Sequence, residues 1–291
     1  MASLKEIKVR IGSVKNTRKI TSAMKMIASS KLHKAQYAIL NFLPYQRKLD
    51  AILTNLLSAD ASSDSPFTKK RKVNRVGIVA FASNSTLCGA YNSNIKKELL
   101  KVYNSKLHLG KDNVEVYPVG KKIEQFVDKE SVLKCGSYQH IANLPVFADI
   151  QGLSALLMEK YVKEELDEII LIYHHFKSTG TQVLTTSTFL PFDLAQAQSA
   201  SGGKPIHADY ILEPNKEDIL RSLIPTVLNS KLFASALDSS ASEHAARMMA
   251  MQVATENADE LVQTLTIQYN KTRQQAVTSE LLDIIGGASA I

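Results

Sequence analysis

The chain has 291 residues, of which 45% are hydrophobic and 22% charged, and it carries a net charge of +7 and two cysteines. This globular composition excludes an intrinsically disordered protein, and two cysteines are too few for a disulfide framework or a cysteine-based metal site, so free thiols in a reducing compartment are expected. The longest strictly apolar runs, such as Ile169 to Tyr173, hold about five residues, so no transmembrane helix is predicted.

The first predicted element is a helix from about Ser3 to about Leu57, which Pro44 could bend. Ser3 and Glu6 stand at the spacing of a capping box. Apolar residues then recur at helical spacing and mark the face that packs on another element. They are Leu4, Ile7, Ile11, Val14, Ile20, Met24 and Ile27.

A basic strip accompanies this helix, because Met1 to Lys48 holds eleven Lys or Arg residues against one acid. Four of the cations are predicted to lie roughly opposite Ile20, Met24 and Ile27. They are Lys15, Arg18, Lys19 and Lys25. Such a strip suits phosphates, anionic lipid or an acidic protein surface, and a plain solvated face is the alternative. Binding of nucleic acid by this strip is weakly supported, since no aromatic residue precedes Tyr37 and no DNA-binding or RNA-binding module is recognisable in the sequence.

A segment rich in Ser, Ala and Asp, residues 58–72, is predicted to be a linker that ends in a basic run. An α/β domain over residues 73–207 follows it. Four strands are predicted at Arg75 to Ala82, Val114 to Val119, Glu168 to Phe176 and Gln182 to Leu190, and two helices at Asn94 to Tyr103 and Gly152 to Leu166. This alternation indicates a mostly parallel sheet that ends in a hairpin around Ser178, Thr179 and Gly180.

No catalytic, cofactor or metal site is predicted. The residues that could carry such chemistry are the glycines Gly110, Gly120 and Gly136 and the turn residues Ser85, Thr86 and Cys88. The glycines form neither a dinucleotide fingerprint nor a phosphate loop, and the turn residues lack the surroundings of a nucleophile elbow and a candidate base. His174 and His175 are neighbours on a strand and point to opposite faces, so they cannot hold one metal ion together.

The C-terminal segment, residues 208–291, is predicted to be a second long helix. Thr226 to Ile285 contains neither proline nor glycine; Asn215 is a candidate N-cap with Asp218 three residues on, and Gly286–Gly287 supplies the stop. A helix of about 90 Å cannot be buried in a globule whose radius of gyration is about 19 Å. We therefore expect the two terminal helices to pack on each other.

The C-terminal helix changes character along its length. An apolar start gives way to an alanine-rich seam, which lets two helix axes approach closely. The seam residues are Ala241, Ala245, Ala246, Ala250, Ala254 and Ala258. Past Leu265 the helix is interpreted as polar all round, which favours either bare solvent or the inside of a partner.

Both ends of the chain resemble the gamma subunit of the rotary F-type ATP synthase, of bacterial type. The N-terminal resemblance lies in Leu4–Ile7, Val14–Thr21 and Ala23–Met26, and the C-terminal one in Ser242–Met248, Tyr269–Gln274 and Glu280–Leu281 followed by Gly287–Ala288. In the middle Leu87-Cys88-Gly89 matches, but Asn84-Ser85-Thr86 stands where the family usually has Asp-Arg-Gly. The cysteine-bearing chloroplast insertion is absent, so thiol control of rotation is not expected.

The resemblance implies an α/β fold class in which two long terminal helices form an antiparallel coiled coil around an inserted, mostly parallel α/β domain. It implies a central-stalk rotor subunit, one copy per complex, that couples proton-driven rotation of the c-ring to ATP synthesis. The chain itself would be no enzyme and would bind no cofactor. The implied partners are the alpha and beta subunits, the epsilon subunit and the c-ring, and the implied location is the cytoplasmic side of the bacterial inner membrane, held there peripherally.

Seven residues match family positions that contact partners. Met24 and Lys25 match a segment that faces an acidic beta loop, with a plain coiled-coil surface as the alternative. The upper-shaft contacts to beta loops are implied for Arg273, Gln274, Thr278 and Glu280. Tyr210 matches a contact near the c-ring. A coiled-coil adaptor and a basic nucleic-acid-binding protein stay as alternative functions, and the second would lose affinity steeply with salt.

Overall fold

The computed structural model describes residues 3–58, 66–68, 71–192, 213 and 215–288. The chain divides into two compact units, Met1–Ser29 with Arg247–Ile291, and Ser30–Ala246. The helices are α1 Leu4–Ser58, α2 Tyr91–Lys106, α3 Lys121–Lys129, α4 Gln139–Asn143, α5 Phe147–Val162 and α6 Lys216–Ala288. The strands are β1 Val76–Phe81, β2 Val114–Val119, β3 Glu168–Ser178 and β4 Thr181–Leu190.

Helix α1 begins at the predicted capping box. The Ser3 backbone N–H donates to Glu6 Oε2 at 2.9 Å, and the Glu6 N–H donates to Ser3 Oγ at 3.3 Å. Two N–H groups that the helix leaves without an internal partner are thereby satisfied. Pro44 lies inside the helix, which continues through it.

Helix α6 begins as predicted and ends later than predicted. Asn215 Oδ1 accepts a hydrogen bond from the Asp218 N–H at 2.8 Å, which confirms the N-cap. The predicted stop at Gly286–Gly287 is wrong, because the helix runs on to Ala288. Glycine weakens a helix by about 1 kcal/mol without forbidding it, and it ends one only when the following chain turns back to cap the last carbonyls.

The central sheet has the strand order β2-β1-β3-β4. Strand β1 is parallel to both of its neighbours, whereas β3 and β4 form an antiparallel hairpin that turns between Ser178 and Thr181. The predicted mostly parallel sheet with a terminal hairpin is confirmed.

Apolar residues cover both faces of the sheet, since consecutive strand residues point to opposite sides. On one face Ile78, Ala80 and Ile172 pack with residues of α2 and α3. On the other face Val79, Phe81 and Leu171 pack with α5 and with the unit's segments of α1 and α6. The unit Ser30–Ala246 is therefore a three-layer α/β structure whose sheet is buried on both sides.

Helices α3 and α4 were not predicted from the sequence. Helix α3 buries Ile123 and Val127, four residues apart, against the sheet. It follows Gly120, which has a φ of +112° and where an added Cβ would lie 2.1 Å from the Ala82 carbonyl oxygen. Gly120 is thus required for a close approach of two backbones, a role that no glycine motif in the sequence predicts.

Candidate functional site

Within the unit formed by residues 1–29 and 247–291, α1 and α6 pair side by side in opposite directions. Arg18 contacts Asp259 at 2.6 Å, and Thr21 Oγ1 lies 2.8 Å from Thr255 Oγ1. A forward step of three residues along α1 is matched by a backward step of four along α6. The pair is therefore the antiparallel coiled coil that the sequence led us to expect.

The buried seam of α1 in this unit differs from the predicted one. Ile7, Thr21 and Ala28 are buried, whereas Ile20 and Ile27 are 61% and 58% exposed. A coiled coil keeps its contact face at multiples of seven residues, so the seam passes through polar Thr21 rather than swinging to Ile20. Thr21 is accommodated because its hydroxyl is hydrogen-bonded to Thr255 and to the Arg18 carbonyl group.

The same register leaves the end of α6 without a partner helix in the described chain. Continued from the two cross-helix contacts, it sets the start of α1 opposite about residue 273 of α6. The residues beyond, up to Ala288, remain helical and are almost all exposed. A lone helix of this length is marginal in water, which favours a partner around it.

The predicted contact residues fall in two separate regions. Met24 and Lys25 are half-buried on α1, opposite the Met251 region of α6 by the same register. The upper residues Arg273, Gln274, Thr278 and Glu280 are all exposed. The two regions lie on the order of 30 Å apart along the helix. Tyr210 lies outside the described residues.

The upper residues are not engaged in the fold. Thr278 Oγ1 donates to the Gln274 carbonyl oxygen of its own helix at 2.9 Å, so Gln274 and Thr278 share one face. Among the described residues, the side chains of Arg273, Gln274 and Glu280 have no hydrogen bond or ion pair. Their polar groups are available to another chain.

Exposed apolar side chains accompany these polar ones, so the interpretation of this stretch as polar all round is wrong. Leu282 is 64% and Ile284 68% exposed. The further exposed apolar residues of this unit are Val9, Ile20, Met26 and Ile27 on α1 and Met249, Val253, Leu261, Ile267, Val277, Leu281 and Ile285 on α6. Large apolar side chains that stay exposed in one stretch mark a contact surface. The sequence contains these apolar residues, but charged residues stand between them, so the apolar surface was not recognised from the sequence.

The basic strip is only partly as predicted. Arg18 does not lie opposite the seam; it reaches across to Asp259, and both side chains are half exposed, which limits the pair to about 0–1 kcal/mol. Lys15 and Lys19 are exposed and have no ion-pair partner among the described residues. They remain available to an acidic surface.

The residues considered for catalysis form no site in the described chain. Cys88 is buried in a turn in which Leu87 and Gly89 both have a positive φ, and its sulfur accepts a hydrogen bond from Asn92 Nδ2 at 3.1 Å. His174 is buried and His175 half exposed on the opposite face, as predicted. No cluster of three metal-ligating side chains occurs among the described residues.

Two groups of the α/β unit, the buried His174 and the partly buried Cys135, have shifted pKa values with structural causes. Burial lowers the pKa of His174 to about 4, which keeps the imidazole neutral at neutral pH. Burial and the neighbouring Glu115 carboxylate raise the pKa of Cys135 to about 11. The His174 ring is inaccessible and the Cys135 thiol is held protonated, so neither group indicates a catalytic nucleophile.

Comparison with known proteins decides the family. The family model described as ATP synthase matches residues 3–291. The chain is 57% identical over 290 residues to the ATP synthase gamma chain of Bacteroides fragilis, and the match covers 100% of both chains. It is 44% identical over 293 residues to the ATP synthase gamma chain of Flavobacterium johnsoniae, with 100% of this chain and 99% of that one covered. The chain belongs to the ATP synthase gamma chain family.

Solved structures share the fold of this gamma chain family member. The central stalk and c-ring structure of the Tetrahymena thermophila mitochondrial ATP synthase matches with a TM-score of 0.60 and 24% identity, covering 81% of this chain and 99% of that one. The rotor of the Euglena gracilis mitochondrial ATP synthase matches with a TM-score of 0.64 and 19% identity, covering 94% and 98%. The relatives favour neither an adaptor nor a nucleic-acid-binding protein.

Proposed function

We propose that the chain is the central-stalk rotor subunit of a bacterial F-type ATP synthase, which couples proton-driven rotation to ATP synthesis. The observation that carries this proposal is the 57% identity over the whole chain to a protein named ATP synthase gamma chain. The paired terminal helices and the free end of α6 support it, because a rotor needs a stiff shaft with a surface that other subunits can contact.

The chain performs no bond chemistry in this proposal. The catalytic sites belong to the beta subunits, and the gamma chain acts by changing which beta conformation is favoured. A shaft can shift such an equilibrium only if it contacts the conformations differently. The outer surface of the α1–α6 coiled coil carries charged, polar and apolar side chains at different positions, so different parts of it can make different contacts.

The proposed contact residues lie in two regions, of which the one on α1 is half-buried and the one at the end of α6 is exposed. Met24 and Lys25 would meet an acidic beta loop on the side of α1. Arg273 and Gln274 would meet beta loops at the unpaired end of α6, together with Thr278 and Glu280. The exposed Leu281, Leu282, Ile284 and Ile285 would pack inside the sleeve of alpha and beta subunits, where burial of each side chain contributes about 1.5–3 kcal/mol.

The remaining partners are the epsilon subunit and the c-ring, which the α/β unit would contact, with Tyr210 near the ring. In the described part of the chain, no helix combines the length and apolarity that crossing a membrane requires. We propose that the chain is held peripherally on the cytoplasmic side of the inner membrane through the c-ring, with one copy in each complex.

Affinity purification from native membranes tests the proposal. A tag on the chain should bring down alpha, beta, epsilon and c subunits in stoichiometric amounts, with three alpha and three beta chains for each copy of the tagged one. The matched control is the same tag on a chain truncated before Arg273, which should retain less of the alpha and beta subunits. Recovery of the full-length chain without alpha and beta subunits would overturn the rotor proposal.

A further inference from the structure

A short stretch of α6, residues 238–242, contacts α2 and β3 through directional hydrogen bonds in addition to apolar burial. The Tyr91 hydroxyl of α2 donates to the Ser239 carbonyl oxygen at 3.0 Å and lies 2.6 Å from Ser239 Oγ. Ser242 Oγ donates to the His174 carbonyl oxygen of β3 at 3.1 Å. His175 Nδ1 lies 2.7 Å from Asp238 Oδ2.

The polar anchor, defined as Tyr91, His174, His175, Asp238, Ser239 and Ser242, is largely buried. Tyr91 is 3%, Ser239 5% and Ser242 0% exposed. The His174 ring stacks on the Tyr91 ring with centroids 4.5 Å apart, which holds the tyrosine in place from the side of β3. Buried hydrogen bonds of this kind leave unsatisfied groups when one partner is lost.

The neighbouring part of α6 makes a different kind of contact from the polar anchor. From Leu220 to Ala236 that helix contacts the α/β unit through the apolar cluster that includes Ile224, Leu228 and Leu232. Apolar burial is non-directional, so it resists separation of two elements more than rotation of one against the other. Hydrogen bonds require a narrow range of distance and angle, and a turn of α6 by one residue, about 100°, would break all three contacts of the anchor.

We infer that Tyr91 and Ser242 are positioning residues that fix the rotational setting of α6 on the α/β unit and so transmit torque into the terminal helix. This inference rests on the rotor function proposed above. Torque that enters through the α/β unit reaches α6 across both the apolar cluster and the anchor, and of these only the anchor is directional. A detached minor state of the anchor would let turnover proceed without coupled rotation.

The test uses the assembled complex in inverted membrane vesicles with two tyrosine variants. Tyr91→Phe removes the hydroxyl and keeps the ring that stacks on His174. Tyr103→Phe is the matched control, a buried tyrosine of the same helix that packs in the other apolar cluster. Ser242→Ala is the second variant, on the α6 side. Two quantities are measured: the ratio of ATP-driven proton pumping to ATP hydrolysis, and amide exchange of residues 236–244 in the purified complex.

Loss of one such hydrogen bond should raise the detached population about five-fold, so exchange of residues 236–244 should speed up by that factor. We expect the pumping-to-hydrolysis ratio to fall at least about two-fold in Tyr91→Phe and Ser242→Ala and to stay at the wild-type value in Tyr103→Phe. Faster exchange with an unchanged ratio would show a merely structural contact and overturn the inference. Unchanged exchange, or an equal loss of coupling in Tyr103→Phe, would overturn it as well.

The rotor proposal fails on a different observation, the absence of alpha and beta subunits from the purified wild-type complex. A complex that assembles and pumps normally with Tyr91→Phe would leave that proposal intact and remove only the role of the anchor.

Discussion

Replacing Arg273 and Gln274 together by alanine should lower ATP synthesis several-fold without weakening the fold. Both side chains are exposed and have no hydrogen bond or ion pair among the described residues. Alanine is the best helix former, so the change in folding free energy should stay within about 0.5 kcal/mol. Any loss of activity would then report on contacts with another chain.

The magnitude follows from the number of contacts removed. A hydrogen bond to a charged group contributes about 1.5–3 kcal/mol, which corresponds to a change of about ten- to hundredfold in the equilibrium between two beta conformations. Arg273 and Gln274 point about 100° apart, so they would meet different loops at one rotor angle. The other shaft contacts continue to favour the same beta conformation, so the synthesis rate changes less than this equilibrium, and a several-fold decrease is the expected net result.

The assay is ATP synthesis in inverted membrane vesicles, normalised to beta subunit content. Lys271→Ala with Gln275→Ala is the matched control, since it removes one cation and one amide from the same exposed stretch but from other positions around the helix. The control should retain more synthesis than the test variant. Wild-type synthesis by Arg273→Ala with Gln274→Ala, at normal beta content, would refute the reasoning and leave these side chains as solvated surface.

Three further predictions concern other sites. Met24→Lys should reduce ATP-driven proton pumping relative to ATP hydrolysis, because a second cation beside Lys25 could form an extra ion pair of about 1.5–3 kcal/mol with an acidic beta loop; an unchanged ratio would contradict it. The free energy of unfolding in urea should decrease by about 3 kcal/mol as the pH falls from about 6.5 to about 4, because His174 binds its proton at a higher pH in the unfolded chain than in the folded one. In urea titrations followed by circular dichroism, His174→Phe should make this free energy depend less on pH. Iodoacetamide should alkylate Cys135 at pH 8 about a hundredfold more slowly than a cysteine of ordinary pKa, and Glu115→Gln should speed the reaction; equal rates would show that the thiol is not held protonated.

Much of the secondary structure could be predicted because its causes are local. The capping box at Ser3 and Glu6 and the N-cap at Asn215 act within one turn, and both occur as expected. Strand β2 has the predicted bounds, Val114–Val119, because an apolar run between turn residues identifies a buried strand. Helix α3 was missed, since Gly120 before it is explained only by the approach of Ala82, a residue far away in sequence.

The location of the proposed contact regions along the chain could be predicted, whereas the side chains that are exposed there could be predicted only in part. From the amino-acid sequence alone we predicted that two long helices flank an α/β unit, and the resemblance of their ends indicated the family. The buried face of α1 became clear only from the folded chain, because Thr21 can lie in the seam only where Thr255 is opposite it and hydrogen-bonds its hydroxyl. The folded chain likewise shows that Ile20 and Ile27 are exposed and that His174 and Ser242 meet. Caps and helix length arise from neighbours along the chain, whereas burial and polar pairing depend on residues that only folding brings together.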